Sequence, residues 1–172
     1  SLDLVALSIA SDLVEVTGEN RVLLHHGLKT VSRNSRPGIR ALLQIVHCTP
    51  DYLTVRDIIS RISPRINAAG RMSRATEAVD LLTARNEARA NELALNLDRL
   101  NHVRRSYDAE VTEAAIQQLA DRPDYQHINI VWGQNWHRGV IGIVATRLIE
   151  HRYRPSVVIS DDDGVLVGSA RS

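Results

Sequence analysis

The chain reads as an α/β protein: a helical N-terminal part, a long connector helix and a small C-terminal α/β domain with a strand–helix–strand crossover. Three observations predict this. Apolar residues in the first half recur at helical spacing. From about residue 86 to 120 one helical pattern runs without Pro or Gly. After it, short β-branched runs flank one helix-length segment.

Leu2, Val5, Ala6 and Ile9 line one face of a first helix. Thr17 stands ahead of Gly18-Glu19-Asn20 and is placed to cap a second, whose less regular face is Val22, Leu23, His26 and Val31. Pro37-Gly38 marks a break, and residues 39–46 open a third helix. Thr54-Val55-Arg56-Asp57 has the form of a capping box ahead of a short fourth helix. Pro64 is expected to end that helix, leaving residues 63–71 as a loop of small residues. The long helix carries Leu93, Leu97, Leu100, Tyr107, Val111 and Ala114 as one stripe and stops at Pro123. Residues 127–132 form a strand candidate. Residues 139–152 form a helix with Val140, Ile143, Val144, Arg147 and Leu148 on one side. Residues 156–160 and 165–167 are β-branched strands, and Asp161-Asp162-Asp163-Gly164 between them is a hairpin signal. Strand, helix and strand in this order imply a right-handed crossover and a parallel pair. The expected division is 1–85, 86–122 and 123–172.

Composition narrows the function classes. A formal net charge of +1 excludes a global basic field for nucleic acid. The 21 basic residues are all Arg except Lys29. Codon usage in a GC-rich genome accounts for that bias, and so does phosphate recognition by the planar guanidinium. The single Cys48 forms no internal disulfide and offers no Cys pair for zinc, which points to a reducing compartment, hence the cytoplasm. No apolar run approaches the roughly 20 residues of a membrane span. The start at Ser1-Leu2-Asp3 has no initiator Met and no signal-peptide pattern, so a piece of a longer protein is expected.

Several segments can carry chemistry. Residues 133–142 join a strand to a helix; Gly139 and Gly142 allow close backbone approach, the helix N-terminus favours an anion, and His137 and Arg138 add donors. An ordinary polar loop fits the same residues. Gly168-Ser169-Ala170-Arg171-Ser172 sets two hydroxyls around an Arg after a strand, suiting a phosphate or carboxylate edge or a plain strand end. Between Arg56 and Arg74 five Arg and one Asp give a local charge of +4, the most basic stretch, able to track a nucleic-acid backbone or to solvate a helix face. Asp12 is one carboxylate, and one carboxylate is no metal site. His25-His26 diverge too far on a helix to grip one ion, and residues 161–163 lack the spaced ligands of a calcium loop.

Four stretches, taken together and in order, resemble the RecJ family of single-strand-specific 5′→3′ DNA exonucleases in the DHH phosphoesterase superfamily. Residues 2–7 through Ser11-Asp12-Leu13-Val14 and Gly18-Glu19-Asn20-Arg21 look like the end of the DHH catalytic domain. Ser63-Pro64-Arg65-Ile66-Asn67-Ala68-Ala69-Gly70-Arg71-Met72 looks like the family's loop ahead of the connector. Trp136-His137-Arg138-Gly139-Val140-Ile141-Gly142-Ile143-Val144-Ala145 and Gly168-Ser169-Ala170-Arg171-Ser172 look like the DHH-associated domain.

The resemblance implies a two-lobed enzyme using Mn2+ or Mg2+ to activate water and neutralise phosphate. It implies that Asp12 is a metal ligand; that His137, Arg138, Gly139, Ser169, Arg171 and Ser172 hold the phosphates of single-stranded DNA; and that Arg65, Asn67 and Arg71 lie near the strand's path. No Asp-His-His triplet occurs here, and Glu15 and Val16 stand where the family often has proline and an apolar residue. Most of the implied metal ligands are therefore absent, and this chain alone is expected to be inactive, within a longer repair and recombination nuclease. Two other readings stand beside it: a phosphodiesterase for oligonucleotides or cyclic dinucleotides in the same superfamily, and a non-catalytic single-strand-binding module.

Overall fold

The structure is a computed structural model that describes residues 1–12, 14–120 and 127–172. These fall into two compact units, Ser1–Asn101 and His102–Ser172. The stop expected at Pro123 lies outside the described residues.

In the first unit, α1 (Leu2–Ser11) and α2 (Gly18–Asn34) meet at Gly27. A Cβ there would lie 2.4 Å from the Leu2 carbonyl oxygen and 2.5 Å from Ala6 Cβ, so only glycine fits. This contact selects the packed face of α2: Leu24, Gly27 and Val31 are buried, with Leu28 half-buried. The face expected from the sequence is corrected by it, since Val22 and His26 are exposed. Thr17 sits at the N-cap of α2, but its side chain makes no capping bond. Pro37-Gly38 is not a break: both residues lie in the first turn of α3 (Pro37–Ile45), where the missing proline N–H has no helical partner to lose.

Thr54 and Asp57 form the expected capping box. Thr54 Oγ1 accepts from the Asp57 N–H at 3.2 Å, and Asp57 Oδ2 accepts from the Thr54 N–H at 3.1 Å. The box opens α4 (Val55–Asp57), yet Pro64 does not end the helix. The chain widens into a π turn over Ile58–Ile62 and runs on as α5 (Ser63–Met72), so residues 63–71 are helical rather than a loop. A proline ring crowds the carbonyl four residues back and has no N–H to offer. The wider turn, closed by Ser63 N–H on the Ile58 carbonyl, accommodates both facts. A further helix that the sequence reading passed over, α6 (Thr76–Thr83), follows. Its signal is Ala78, Leu81 and Leu82 at helical spacing, and it packs on α3 through Gly38, whose added Cβ would meet the Leu81 carbonyl oxygen at 1.9 Å. Leu42, Leu43, Ile58, Ile62, Leu81 and Leu97 form the centre of this unit's core.

The long helix is present as α7 (Glu87–Ala120) and runs through the boundary between the units. Asn86 Oδ1 caps it by accepting from the Arg89 N–H at 2.8 Å. Its buried stripe is Ala90, Leu93, Ala94, Leu97, Asn101, Asp108, Val111, Ala115 and Leu119. The middle is thus polar, and Tyr107, expected on the stripe, is exposed beside it.

The second unit adds β1 (Asn129–Gln134), α8 (Arg138–His151), β2 (Ser156–Asp162) and β3 (Val165–Arg171) in the sheet order β1-β2-β3. β1 and β2 are parallel, with Val131 opposite Val158, as the strand–helix–strand order predicts. β2 and β3 are antiparallel, with Val158 opposite Ser169. Asp163 and Gly164 form the two-residue turn, both with positive φ (51° and 84°), and Asp161 Oδ1 accepts from the Gly164 N–H at 2.8 Å. β3 runs on through Arg171, so Ser169 and Arg171 belong to the strand instead of following it. α8 buries Val140, Ile141, Val144, Ala145 and Leu148. On the outer side of β1 the Gln118 carboxamide donates to the Trp132 carbonyl at 2.7 Å and accepts from its N–H at 3.2 Å, occupying the strand edge. No helix among the described residues is long and apolar enough to cross a membrane.

Candidate nucleic-acid interface

The start of α8 is built around His137, its N-cap residue. Nδ1 accepts from the Gly139 N–H at 3.0 Å. A ring nitrogen that accepts carries no proton, so in the neutral imidazole the hydrogen sits on Nε2, which is left as a donor. The ring also stacks on Tyr107 of α7, with centroids 5.5 Å apart and planes at 30°. Two of the first-turn N–H groups expected to attract an anion are already used, Gly139 by His137 Nδ1 and Val140 by the His137 carbonyl at 2.9 Å. Attraction for an anion here rests on His137 Nε2–H, the exposed Arg138 and what remains of the helix dipole. Helix caps are usually Ser, Thr, Asp or Asn, which is why the sequence reading started this helix a residue late.

Farther along α8, Gly142 makes room for β3. A Cβ at Gly142 would lie 3.2 Å from Ser169 Oγ and 3.4 Å from Arg171 Nη2. Arg171 Nη1 donates to the Ala170 carbonyl at 2.7 Å, and Ser172 is exposed beyond the strand. The structure thus brings Ser169 and Arg171 together with Gly142. At β1, the indole of Trp136 lies over Gly133, where an added Cβ would stand 2.2 Å from the ring.

Behind this surface is a buried polar link that the sequence did not single out. Asp108 of α7 has a side chain only 2% exposed and accepts from Arg147 Nη2 of α8 at 2.8 Å, with Arg104 Nη1 at 4.0 Å. The signal was a charged residue at a stripe position of a long helix, where an unpaired carboxylate would be costly.

The remaining candidates lie in the first unit. Arg65 of α5 is committed: Nε donates to Asp98 Oδ1 at 2.7 Å and Nη1 to the Arg61 carbonyl at 2.6 Å. Asn67 and Arg71 are exposed on the same helix. The local positive charge is reduced by Asp98 and by Asp57, whose Oδ1 is 3.6 Å from Arg61 Nη1. Arg61 Nη1 also lies 3.2 Å from Cys48 Sγ. Asp12 ends α1 as its C-cap residue and accepts from Ser8 Oγ at 3.2 Å. The neighbouring Ser11 Oγ and Ser63 Oγ are 2.6 Å apart, which joins the end of α1 to the start of α5. Among the described residues no three His, Cys, Asp or Glu side chains gather as metal ligands, so Asp12 does not complete a metal centre here. His25 and His26 meet edge to face at 5.3 Å. Asp161 and Asp163 line a polar hollow of about 230 Å³ with Gln134, Asn135 and Gly164.

No protein-family model matches the chain. It is 36% identical over 177 residues to the single-stranded-DNA-specific exonuclease RecJ of Haemophilus influenzae, covering 99% of this chain and 31% of that protein. It is 34% identical over 173 residues to RecJ of Bacillus subtilis, covering 99% of this chain and 22% of that protein. It therefore spans about a third or less of these relatives. The crystal structure of RecJ in complex with Mg2+ from Thermus thermophilus has a TM-score of 0.86 at 32% identity, over 99% of this chain and 26% of that one. That of exonuclease RecJ bound to manganese has a TM-score of 0.87 at 30% identity, over 99% and 42%. A helical unit, a long helix and a small mixed sheet with a His-capped crossover helix thus define an α/β protein of the exonuclease class. Sequence and fold agree along the whole chain. It belongs to the RecJ family.

Proposed function

We propose that this chain is the phosphate-holding part of a metal-dependent nuclease that hydrolyses single-stranded DNA 5′→3′ in repair and recombination in the cytoplasm. The observation that carries this is the placing of Ser169 and Arg171 against Gly142 of α8, the helix that His137 caps while keeping Nε2–H as a donor. Donors of this kind hold phosphate oxygens without reading bases. Arg138 and Ser172, both exposed, extend the donor set, and Gly139 holds the cap. Asn67 and Arg71 lie on the exposed side of α5 and serve as outlying contacts, while Arg65 acts through Asp98.

The RecJ neighbours hold Mg2+ or Mn2+. Such an ion would supply an activated water and charge neutralisation, with Asp12 as one ligand and the others outside the described residues. The chain by itself is then a binder that does not cleave. The relatives named as single-stranded-DNA-specific exonucleases favour this branch over a cyclic-dinucleotide or oligonucleotide phosphodiesterase.

The test is a salt titration of binding to a short 5′-labelled single strand, with and without manganese. Binding that weakens steeply with salt, is indifferent to manganese and drops with Arg171→Ala supports the reading. No binding at any salt, or degradation of the strand by the purified chain, overturns it.

A further inference from the structure

We infer that Tyr107 is a positioning residue for His137, and this rests on the reading that His137 meets a DNA phosphate. Tyr107 lies off the buried stripe of α7, 39% exposed, so packing of the core does not explain it. Its ring is stacked on His137. Its hydroxyl has no hydrogen-bond partner among the described residues, so the flat ring is the working part.

His137 is held at one ring atom by the Gly139 N–H. One hydrogen bond leaves the imidazole free to rock about that bond or to turn over and exchange its nitrogens. A ring stacked on its face removes both freedoms. Nε2–H then points one way and the tautomer is fixed. Tyr107 does not stand on a loose segment: the next residue, Asp108, is buried and bonded to Arg147 of α8 at 2.8 Å. α7 therefore presents the Tyr107 ring to the start of α8 from a fixed position.

The test uses the chain labelled with ¹⁵N in its histidine rings, at about pH 8, above the usual histidine titration range. The His137 signals are expected to show a bare Nδ1 and a protonated Nε2 in the wild type and in Tyr107→Phe. In Tyr107→Ala they are expected to average between tautomers. Binding of a short oligo-dT should weaken about fivefold to tenfold in Tyr107→Ala, part of what a hydrogen bond to a charged group contributes, and stay within about twofold in Tyr107→Phe. Tyr107→Leu keeps apolar volume without a flat ring; it should behave like Tyr107→Ala and guards against a folding artefact. The double variant Tyr107→Ala/His137→Ala should bind no worse than His137→Ala alone. If His137→Ala weakens binding while Tyr107→Ala and Tyr107→Leu keep the wild-type tautomer and affinity, the positioning role is wrong. If His137→Ala binds like the wild type, the phosphate role of His137 is wrong, and the inference falls with it.

Discussion

Arg171 Nη2 on β3 stands where α8 has no side chain, 3.4 Å from the place a Cβ of Gly142 would occupy. A glycine in the body of a helix gives up about 0.5–1 kcal/mol relative to alanine. Here the empty position lets the strand's Arg and Ser169 sit against the helix, so local stability has been exchanged for the location of two donors.

Gly142→Ala separates the two effects. The added methyl should leave the thermal midpoint unchanged or slightly raised, because helix propensity improves while Ser169 and Arg171 shift by a few tenths of an ångström. Affinity for a single strand should fall about threefold to tenfold, within the range of one weakened charged hydrogen bond. Differential scanning fluorimetry and an oligonucleotide titration read the two independently. An alanine variant with unchanged affinity would show that Arg171 does not depend on its seat at Gly142.

Asp3 and Arg36 form a two-pronged pair, with Nε to Oδ2 at 2.6 Å and Nη2 to Oδ1 at 3.0 Å, and the Asp3 side chain is 5% exposed. The hydrogen bond from Arg36 is the main reason that the Asp3 carboxyl lies below the usual carboxylate range. A depressed folded pKa contributes stability above the unfolded value of about 3.9 and loses it as pH falls through the folded value. Asp3→Asn should therefore cost about 1.5–3 kcal/mol at neutral pH, and the gap to the wild type should narrow below about pH 4. Urea unfolding at both pH values measures it. A gap that stays constant would mean that the charge of Asp3 is not what stabilises the fold.

Arg65 is held on Asp98 and on the Arg61 carbonyl, which makes it a packing element of α5 and α7 before it is anything else. Both Arg65→Ala and Arg65→Lys should lower stability by about 1–2 kcal/mol, since lysine keeps the charge but not the forked geometry. Asn67→Ala on the exposed side of the same helix should change stability by less than about 0.5 kcal/mol. Chemical denaturation of the three variants decides it: a stable Arg65→Lys would show that charge alone suffices.

Gln118→Ala removes the carboxamide that pairs with both backbone groups of Trp132. The bare edge of β1, next to an indole 55% exposed, should promote concentration-dependent association visible by light scattering. Loss of the two bonds should cost about 1–2 kcal/mol. A variant that stays monodisperse would show that the edge is protected by something else.

Much of this architecture was legible in the residues. The capping box at Thr54, the two-residue turn at Asp163-Gly164 and the parallel crossover follow from short-range rules that tertiary packing did not override. What was misread shares one cause: a neighbour altered the meaning of a local signal. Pro64 reads as a helix end until the chain finds a π turn ahead of it. The packed face of α2 is chosen by Gly27, which has no hydropathy to announce it. The middle of α7 is buried yet polar, because Asp108 finds Arg147 on α8. In the site, Ser169 and Arg171 could be named from the sequence, but Tyr107 could not, because its partner His137 is far along the chain.

The π turn at Ile58–Ile62 also sets a rotational phase. Each α-helical residue advances about 100° around the axis, and a π turn is one residue in excess. Deleting Ser60 would let the run close as ordinary α-helix and swing α5 by roughly a quarter turn. Arg65 would leave Asp98, and the buried Ala68 and Ala69 would rotate toward solvent. Between Thr54 and Ser63 the chain should thus accept changes of side chain far more readily than a change of length by one, and a length variant found there would mark a protein whose α5 presents a different set of residues.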